Sequence, residues 1–121
     1  MAKKTGDGGI VLSAFEEDLL TLIQRYVDGI YGLDILHSLN TANKKINRRL
    51  IGVGSLYPAL KRMAKQGLLD DWWGNDTSPS GGARRRYYKI TALGKKALQD
   101  TWLYRDILRS GLSPQAIPSP I

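Results

Sequence analysis

Residues 55–67 carry the sequence SLYPALKRMAKQG, in which apolar residues repeat at helical spacing. Leu56, Leu60 and Met63 fall on one face when successive residues are turned by about 100°. The opposite face carries hydroxyl groups and positive charge, and Gly67 is well placed as the capping glycine beyond the C-terminus. The stretch therefore predicts an amphipathic helix over 55–66, with one apolar and one basic face.

Two further helices are predicted upstream of this stretch. Ser13 and Glu16 have the spacing of a capping box, and the apolar residues after them predict a first helix over about 13–27. A shorter run of helical spacing predicts a second helix over about 31–40. The polar, basic segment 41–52 is predicted to be a connector.

Beyond residue 67 the pattern changes to one that suits strands. Residues 68–73 and 84–90 each favour a strand, and the turn-rich segment 74–83 between them predicts a β-hairpin. Thr91 offers an N-cap for a last helix over about 92–110, whose apolar residues point in two directions. Three helices, a hairpin and a final helix are typical of a winged helix-turn-helix, an α+β fold that is mostly helical.

Positive charge is concentrated in two parts of the chain. The 121 residues include 18 basic and 11 acidic ones, a net charge of +7. Segments 44–65 and 84–96 together hold thirteen of the basic residues and none of the acidic ones. Because these segments cover the predicted third helix and the hairpin, the charge favours duplex DNA as the partner, with the helix in the major groove and the hairpin on phosphates.

The candidate DNA-contacting residues lie on the basic face of the third helix, before it, and on the hairpin. Lysine and arginine there can neutralise phosphates, while serine and tyrosine hydroxyl groups can bond phosphate oxygens. A proline is compatible with this helix if the helix starts near Ser55, because first-turn N–H groups have no intrahelical partner. The predicted set is Ser55, Tyr57, Pro58, Lys61, Arg62, Lys65, Arg48, Arg49, Arg84, Arg85 and Arg86.

Three motifs together resemble the PadR family of bacterial transcriptional regulators. The run LYPALKRM at 56–63 with the following Gly67-Leu68 is similar to the family's recognition helix, and RYYKITALG at 86–94 to the end of its wing. YGLDIL at 31–36 is similar to its second helix, so the resemblance covers about residues 15–105. The chain departs from the family at Gly52, where many members have serine or threonine, and in its long wing loop.

This resemblance implies a homodimeric winged-helix repressor that binds a palindromic operator. It implies a dimer interface formed by the last helix with the first, for which the candidates are Phe15, Leu19, Leu98, Trp102 and Ile107. The implied organisation is a mobile tail (1–9), a DNA-binding domain (10–90), a dimerisation helix (91–110) and a flexible tail (111–121). The run DDWWG at 70–74 also resembles cyanobacterial clock-period modifiers within the family, which implies repression of a circadian clock gene.

The composition of the chain also bears on other classes of function. The chain has no cysteine and a single histidine, His37, so no catalytic residue, cofactor or metal site is predicted. The chain contains neither a membrane-spanning apolar run nor a secretory signal, so a cytoplasmic, nucleoid-associated bacterial protein is expected. A winged helix that binds proteins instead of DNA, and a repressor whose Trp102 stacks on a small aromatic effector, stay open as alternatives.

Overall fold

The computed structural model describes residues 9–75 and 84–111. The predicted tails and most of the predicted wing loop lie outside these residues, except for Gly9, Gly111 and residues 74–75. The elements, in chain order, are α1 (Ala14–Ile23), β1 (Ile30–Tyr31), α2 (Gly32–Lys45), α3 (Val53–Lys65), β2 (Leu69–Trp73), β3 (Arg86–Ile90) and α4 (Ala92–Ser110). The predicted winged helix-turn-helix is confirmed.

Helix α1 begins as predicted but ends earlier. The Ser13 hydroxyl accepts the Glu16 N–H at 3.2 Å, and the Ser13 N–H donates to the Glu16 carboxylate at 2.9 Å, so the capping box is present. The prediction that the helix continues to residue 27 is wrong, because the chain turns after Ile23 and passes through Gly29 at φ +104°. This turn brings the next residues alongside β3.

Helix α2 is longer than predicted. It runs to Lys45, so only the last part of the predicted connector 41–52 is non-helical. Asn43 is buried on its inner face, and Lys44 and Lys45 lie in the last turn, where positive charge favours the C-terminus. The helix ends where Asn47 adopts a left-handed conformation at φ 58°.

The sheet has three antiparallel strands in the order β1-β3-β2. The hairpin is confirmed, with Trp72 opposite Tyr87 and Leu69 opposite Ile90, although β3 starts at Arg86 rather than at residue 84. Strand β1 was not predicted from the sequence. It has only two residues, too few to show a period of two, and it pairs with β3 through Ile30 and Tyr88.

Helix α4 packs its first half into the common core. Gly94, Ala97, Leu98 and Thr101 are buried, and a Cβ added to Gly94 would lie 2.3 Å from the Leu68 carbonyl oxygen. Leu98 is only 1% exposed and contributes to one core with the apolar faces of α1 and α3. The first half of α4 is therefore part of the winged-helix domain rather than a separate dimerisation element.

The segment before α1 is tied to α4 by hydrogen bonds. The buried Thr101 hydroxyl accepts the Leu12 N–H at 2.9 Å, and the Asp100 carboxylate accepts the Ile10 N–H at 3.3 Å. A hydrogen bond from Lys96 lowers the pKa of Asp100, with the Ile10 N–H contributing less. Arg105 adds a hydrogen bond to the Leu12 carbonyl and an ion pair with Glu17. These contacts fix residues 10–12 as an arm along α4.

Candidate nucleic-acid interface

Helix α3 is oriented by its apolar face, as the sequence predicts. Leu56, Leu60 and Met63 are fully buried, so the opposite side of the helix faces solvent. The helix ends at Lys65, and Gly67 beyond it adopts φ +81° and donates its N–H to the Ala64 carbonyl, as predicted for a capping glycine. The exposed side carries Ser55, Pro58, Lys61, Arg62 and Lys65.

Tyr57 differs from the other members of the predicted outward face. Its ring is half-buried and covers Gly32 at the start of α2, where an added Cβ would lie 2.8 Å from the tyrosine ring and hydroxyl. Burial, with a smaller contribution from nearby Tyr31, raises the pKa of Tyr57. Its ring therefore packs α3 on α2, and only its exposed edge is available to a partner.

Pro58 lies deeper in the helix than predicted. The helix begins at Val53 rather than near Ser55, so Pro58 lies in the second turn and has no N–H to donate to the Gly54 carbonyl. Gly54 is exposed and has no atom within 4 Å of an added Cβ. The unpaired carbonyl is tolerated because solvent can reach this part of the helix.

The N-terminus of α3 is open. Gly52 occupies the N-cap position and provides no side-chain hydrogen bond, in keeping with its departure from the family pattern. The Ser55 and Leu56 N–H groups bond to the Gly52 carbonyl, which leaves the N–H groups of Val53 and Gly54 without an intrahelical acceptor. Uncapped N–H groups at a helix N-terminus are suited to a phosphate oxygen.

Asn40 on α2 holds the approach to α3 in place. Its side-chain amide donates to the Ile51 carbonyl and accepts the Ile51 N–H, both at 2.8 Å. The Asn43 amide donates to the same Asn40 oxygen at 3.2 Å. Sequence reasoning missed both residues, because a polar side chain on a helix gives no signal until its partner backbone is known.

The basic residues of α3 divide into paired and unpaired groups. Arg62 lies 3.6 Å from the Glu16 carboxylate on α1, whereas Lys61 and Lys65 form no ion pair within the described ranges. Before the helix, the closest atoms of Arg48 and Asp18 are 3.9 Å apart, and Arg49 is exposed. Among the basic residues of α3, Lys61 and Lys65 are thus the two that form no ion pair with an acidic residue of the described chain.

The wing consists of β2, β3 and their loop. Its three arginines also differ in their contacts. Arg86 pairs with Asp71 at 2.6 Å and lies 4.6 Å from the centre of the Trp73 ring. Arg84 lies 5.8 Å from the same ring, and both Arg84 and Arg85 are exposed. Arg86 therefore shapes the wing, while Arg84 and Arg85 present charge to solvent.

The predicted dimer residues are divided between core and surface. Leu19 and Leu98 are fully buried within one chain, so the prediction that they line an interface is wrong. Phe15 and Ile107 are half-buried, and Trp102 is 39% exposed. Other large apolar side chains of α4 and the arm are exposed and were not predicted as interface residues: Val11, Leu103, Tyr104 and Leu108.

A basic helix anchored by its apolar face, followed by an arginine-bearing hairpin, defines a winged-helix DNA-binding transcriptional regulator. Residues 19–100 match the transcriptional regulator PadR-like family, and the chain belongs to that family. This membership confirms the predicted class and the prediction that the chain is not an enzyme. No helix within 9–75 and 84–111 is both long and apolar enough to span a membrane.

Solved structures give the same assignment. A PadR-like transcription factor from Bacteroides fragilis has a TM-score of 0.66 and 27% identity, with 79% of this chain and 84% of that one covered. A PadR-like regulator from Bacillus cereus has a TM-score of 0.60 and 26% identity, over 79% and 84% of the two chains.

A sequence relative covers a smaller part of the chain. This uncharacterised protein of Lysinibacillus sphaericus is 33% identical over 70 residues, which are 58% of this chain and 60% of that protein's length.

Proposed function

We propose that the protein is a homodimeric repressor that binds a palindromic operator through α3 and the wing. The observation that carries the proposal is the pair of exposed lysines, Lys61 and Lys65, on a helix whose opposite face is fully buried. Family membership supports DNA as the partner. As a repressor it acts on chromosomal DNA in the bacterial cytoplasm.

In this proposal, α3 enters the major groove, where some of its residues contact phosphates and others contact bases. Lys61, Lys65 and Arg49 neutralise phosphates, and the open N-terminus of α3 receives a further phosphate oxygen. Ser55 in the first turn and Pro58 in the second turn are both exposed and face base edges. Arg84 and Arg85 reach the backbone beside the groove.

The dimer in this proposal forms through the outer side of α4. Leu103, Tyr104 and Leu108 make up this outer side, at 61%, 42% and 58% exposure, and Val11 of the arm lies beside Leu103 and Tyr104. Trp102, 39% exposed, lies on another side of α4, beside Glu17 and Arg105. A twofold-symmetric interface places two copies of α3 on one side of the duplex, with half-sites about one helical turn, or roughly 34 Å, apart.

Salt-dependent binding to an operator tests the phosphate contacts. Each phosphate neutralised lowers the slope of log affinity against log salt concentration by about 0.9, so Lys61→Ala and Lys65→Ala should each reduce its magnitude by about one. Arg25→Ala, at an exposed position after α1, removes the same charge and serves as the matched control. Unchanged slopes in both lysine variants, with the folded state intact, would contradict the proposal.

Selection of genomic fragments by the purified protein provides the operator and tests the function. Recovered fragments should share a palindrome, and the resemblance to clock-period modifiers predicts that a circadian clock promoter is among them. Recovery of no enriched fragment would favour the alternative of a protein-interaction module. Enriched fragments that are released by planar aromatic compounds, with loss of this response in a Trp102→Ala variant, would favour a ligand-responsive repressor.

A further inference from the structure

A cavity of about 350 Å³ lies away from the exposed face of α3, where the turn after α1 meets α2 and the sheet. Its walls include three tyrosines, Tyr26, Tyr31 and Tyr87, together with Asp34 and His37 from α2. This volume falls within the range of small-molecule sites. We call this cavity the tyrosine pocket.

The aromatic wall of the tyrosine pocket is held by packing across the sheet. The rings of Tyr31 and Tyr87 have centres 6.0 Å apart at an interplanar angle of 44°. Trp72 stacks on Tyr87 at 6.0 Å and 16°, and it also covers Gly29, where an added Cβ would lie 2.6 Å from the indole. The rings of Tyr31 and Tyr87 are therefore packed against each other and against Trp72.

Electron-rich ring faces attract cations, and one ring of the pocket already does so. The Arg85 guanidinium lies 5.2 Å from the centre of the Tyr31 ring, within the range of a cation–π contact. Arg85 itself is not among the residues that line the cavity. A tyrosine-lined cavity of this kind is the chemistry by which proteins hold quaternary ammonium groups.

Among the residues that line the pocket, Asp34 is the one with a full charge, and that charge is negative. Asp34 is exposed in the first turn of α2, and its carboxylate makes no ion pair or hydrogen bond with any residue of 9–75 or 84–111. His37 follows almost one turn later and is also exposed. An unpaired carboxylate beside tyrosine rings favours a cationic ligand and disfavours phosphate or carboxylate groups.

We propose that the tyrosine pocket binds a small organic cation, with a quaternary ammonium group against the tyrosine rings and Asp34 as its counter-ion. This site is separate from the exposed face of α3 and from the outer side of α4. It gives the protein a ligand-binding function in addition to the proposed DNA binding.

The test is a titration of the full-length protein with choline, in which binding is measured by NMR chemical-shift changes. We expect saturable shifts at Tyr26, Tyr31, Asp34 and Tyr87. Dimethylbutanol, the uncharged carbon isostere of choline, should bind at least about tenfold more weakly, because it lacks the charge that the rings and Asp34 recognise. Equal binding of the two compounds, or no saturable shifts with choline, would overturn the proposal.

A charge-removing variant isolates the carboxylate. Asp34→Asn keeps the shape of the side chain and should weaken choline binding about tenfold. Asp70→Asn, an equal change at an exposed position of β2 outside the pocket, should leave choline binding unchanged. Wild-type affinity in the Asp34 variant, with an unchanged folded spectrum, would contradict the role of Asp34, and equal weakening in both variants would contradict a localised site.

Discussion

Asn40 governs the candidate DNA interface without lying on its exposed face. Its side-chain amide bonds both polar backbone groups of Ile51, two residues before α3 begins. A side chain that satisfies a donor and an acceptor of the same peptide segment fixes the position and the direction of that segment. The start of α3 is therefore set by a single amide on α2.

Replacing Asn40 with alanine should destabilise the protein. The change removes three hydrogen bonds and leaves the partly buried backbone groups of Ile51 and the Asn43 amide without these partners, which costs about 1–3 kcal/mol in the free energy of unfolding. Urea unfolding measures this cost. Thr41→Ala, at the next and exposed position, should change stability by less than about 0.5 kcal/mol, and an equal loss in both variants would contradict the argument.

At the scale of elements, glycines determine how closely helices approach the rest of the fold. Gly94 brings α4 against the end of α3 and the sheet, where an added Cβ would meet the Leu68 carbonyl oxygen and the Ile90 side chain. Gly54 lies within α3 with open space around it. The same residue type thus has a packing role in one helix and none in the other.

Alanine at these two glycines should change stability in opposite directions. Gly94→Ala forces backbone apart and should destabilise by about 1–3 kcal/mol or more. Gly54→Ala meets no obstacle and should stabilise by about 0.5–1 kcal/mol through helix propensity. Thermal unfolding measures the stability of both variants. A stabilising Gly94→Ala would show that α4 does not pack as closely against the Leu68 backbone as described.

At the scale of the whole molecule, three successive acidic residues of α1 approach arginines from three other parts of the chain. Glu16 approaches Arg62 of α3, Glu17 pairs with Arg105 of α4, and Asp18 lies near Arg48. Burial raises the pKa of Asp18, and Arg48 opposes that effect. Their arginine partners are distant in the chain, so these contacts could not be predicted from the sequence.

The oligomeric state is also a property of the whole molecule. Leu103→Asp places a charge within the exposed apolar side of α4 and should shift the sedimenting species from dimer toward monomer. Val27→Asp, at a position 76% exposed in the turn after α1, introduces the same charge away from α4 and should leave the mass unchanged. A monomeric wild-type protein, or a dimeric Leu103 variant, would contradict the proposed interface.

Sequence periodicity predicted α3 and the hairpin well, because their apolar residues mark their buried faces directly. It assigned Leu98 to the wrong side of α4, because the buried stripe there consists of Gly94, Ala97, Leu98 and Thr101. Glycine and threonine do not identify a core face by hydrophobicity. The buried Thr101 hydroxyl is satisfied within the protein, because it accepts the Leu12 N–H and donates to the Ala97 carbonyl.

The sequence predicted which basic residues lie at the candidate site, but it could not predict which of them form ion pairs within the protein. Lys61 and Lys65 are exposed and unpaired within the described chain, whereas Arg62 and Arg86 have acidic partners that only the fold brings near them. The tyrosine pocket could not be predicted, because it joins Tyr26, Tyr31 and Tyr87 through a strand of two residues.

Thr91 gives the molecule a modular geometry. Its hydroxyl donates to the Gly67 carbonyl at 2.6 Å and accepts the Gly94 N–H at 3.0 Å, and its N–H bonds the Leu68 carbonyl. The end of α3, the exit from the wing and the start of α4 therefore form one rigid corner. In the proposed homodimer, changes along the distal part of α4 would alter operator spacing without changing the bases recognised, so spacing and sequence preference can evolve separately.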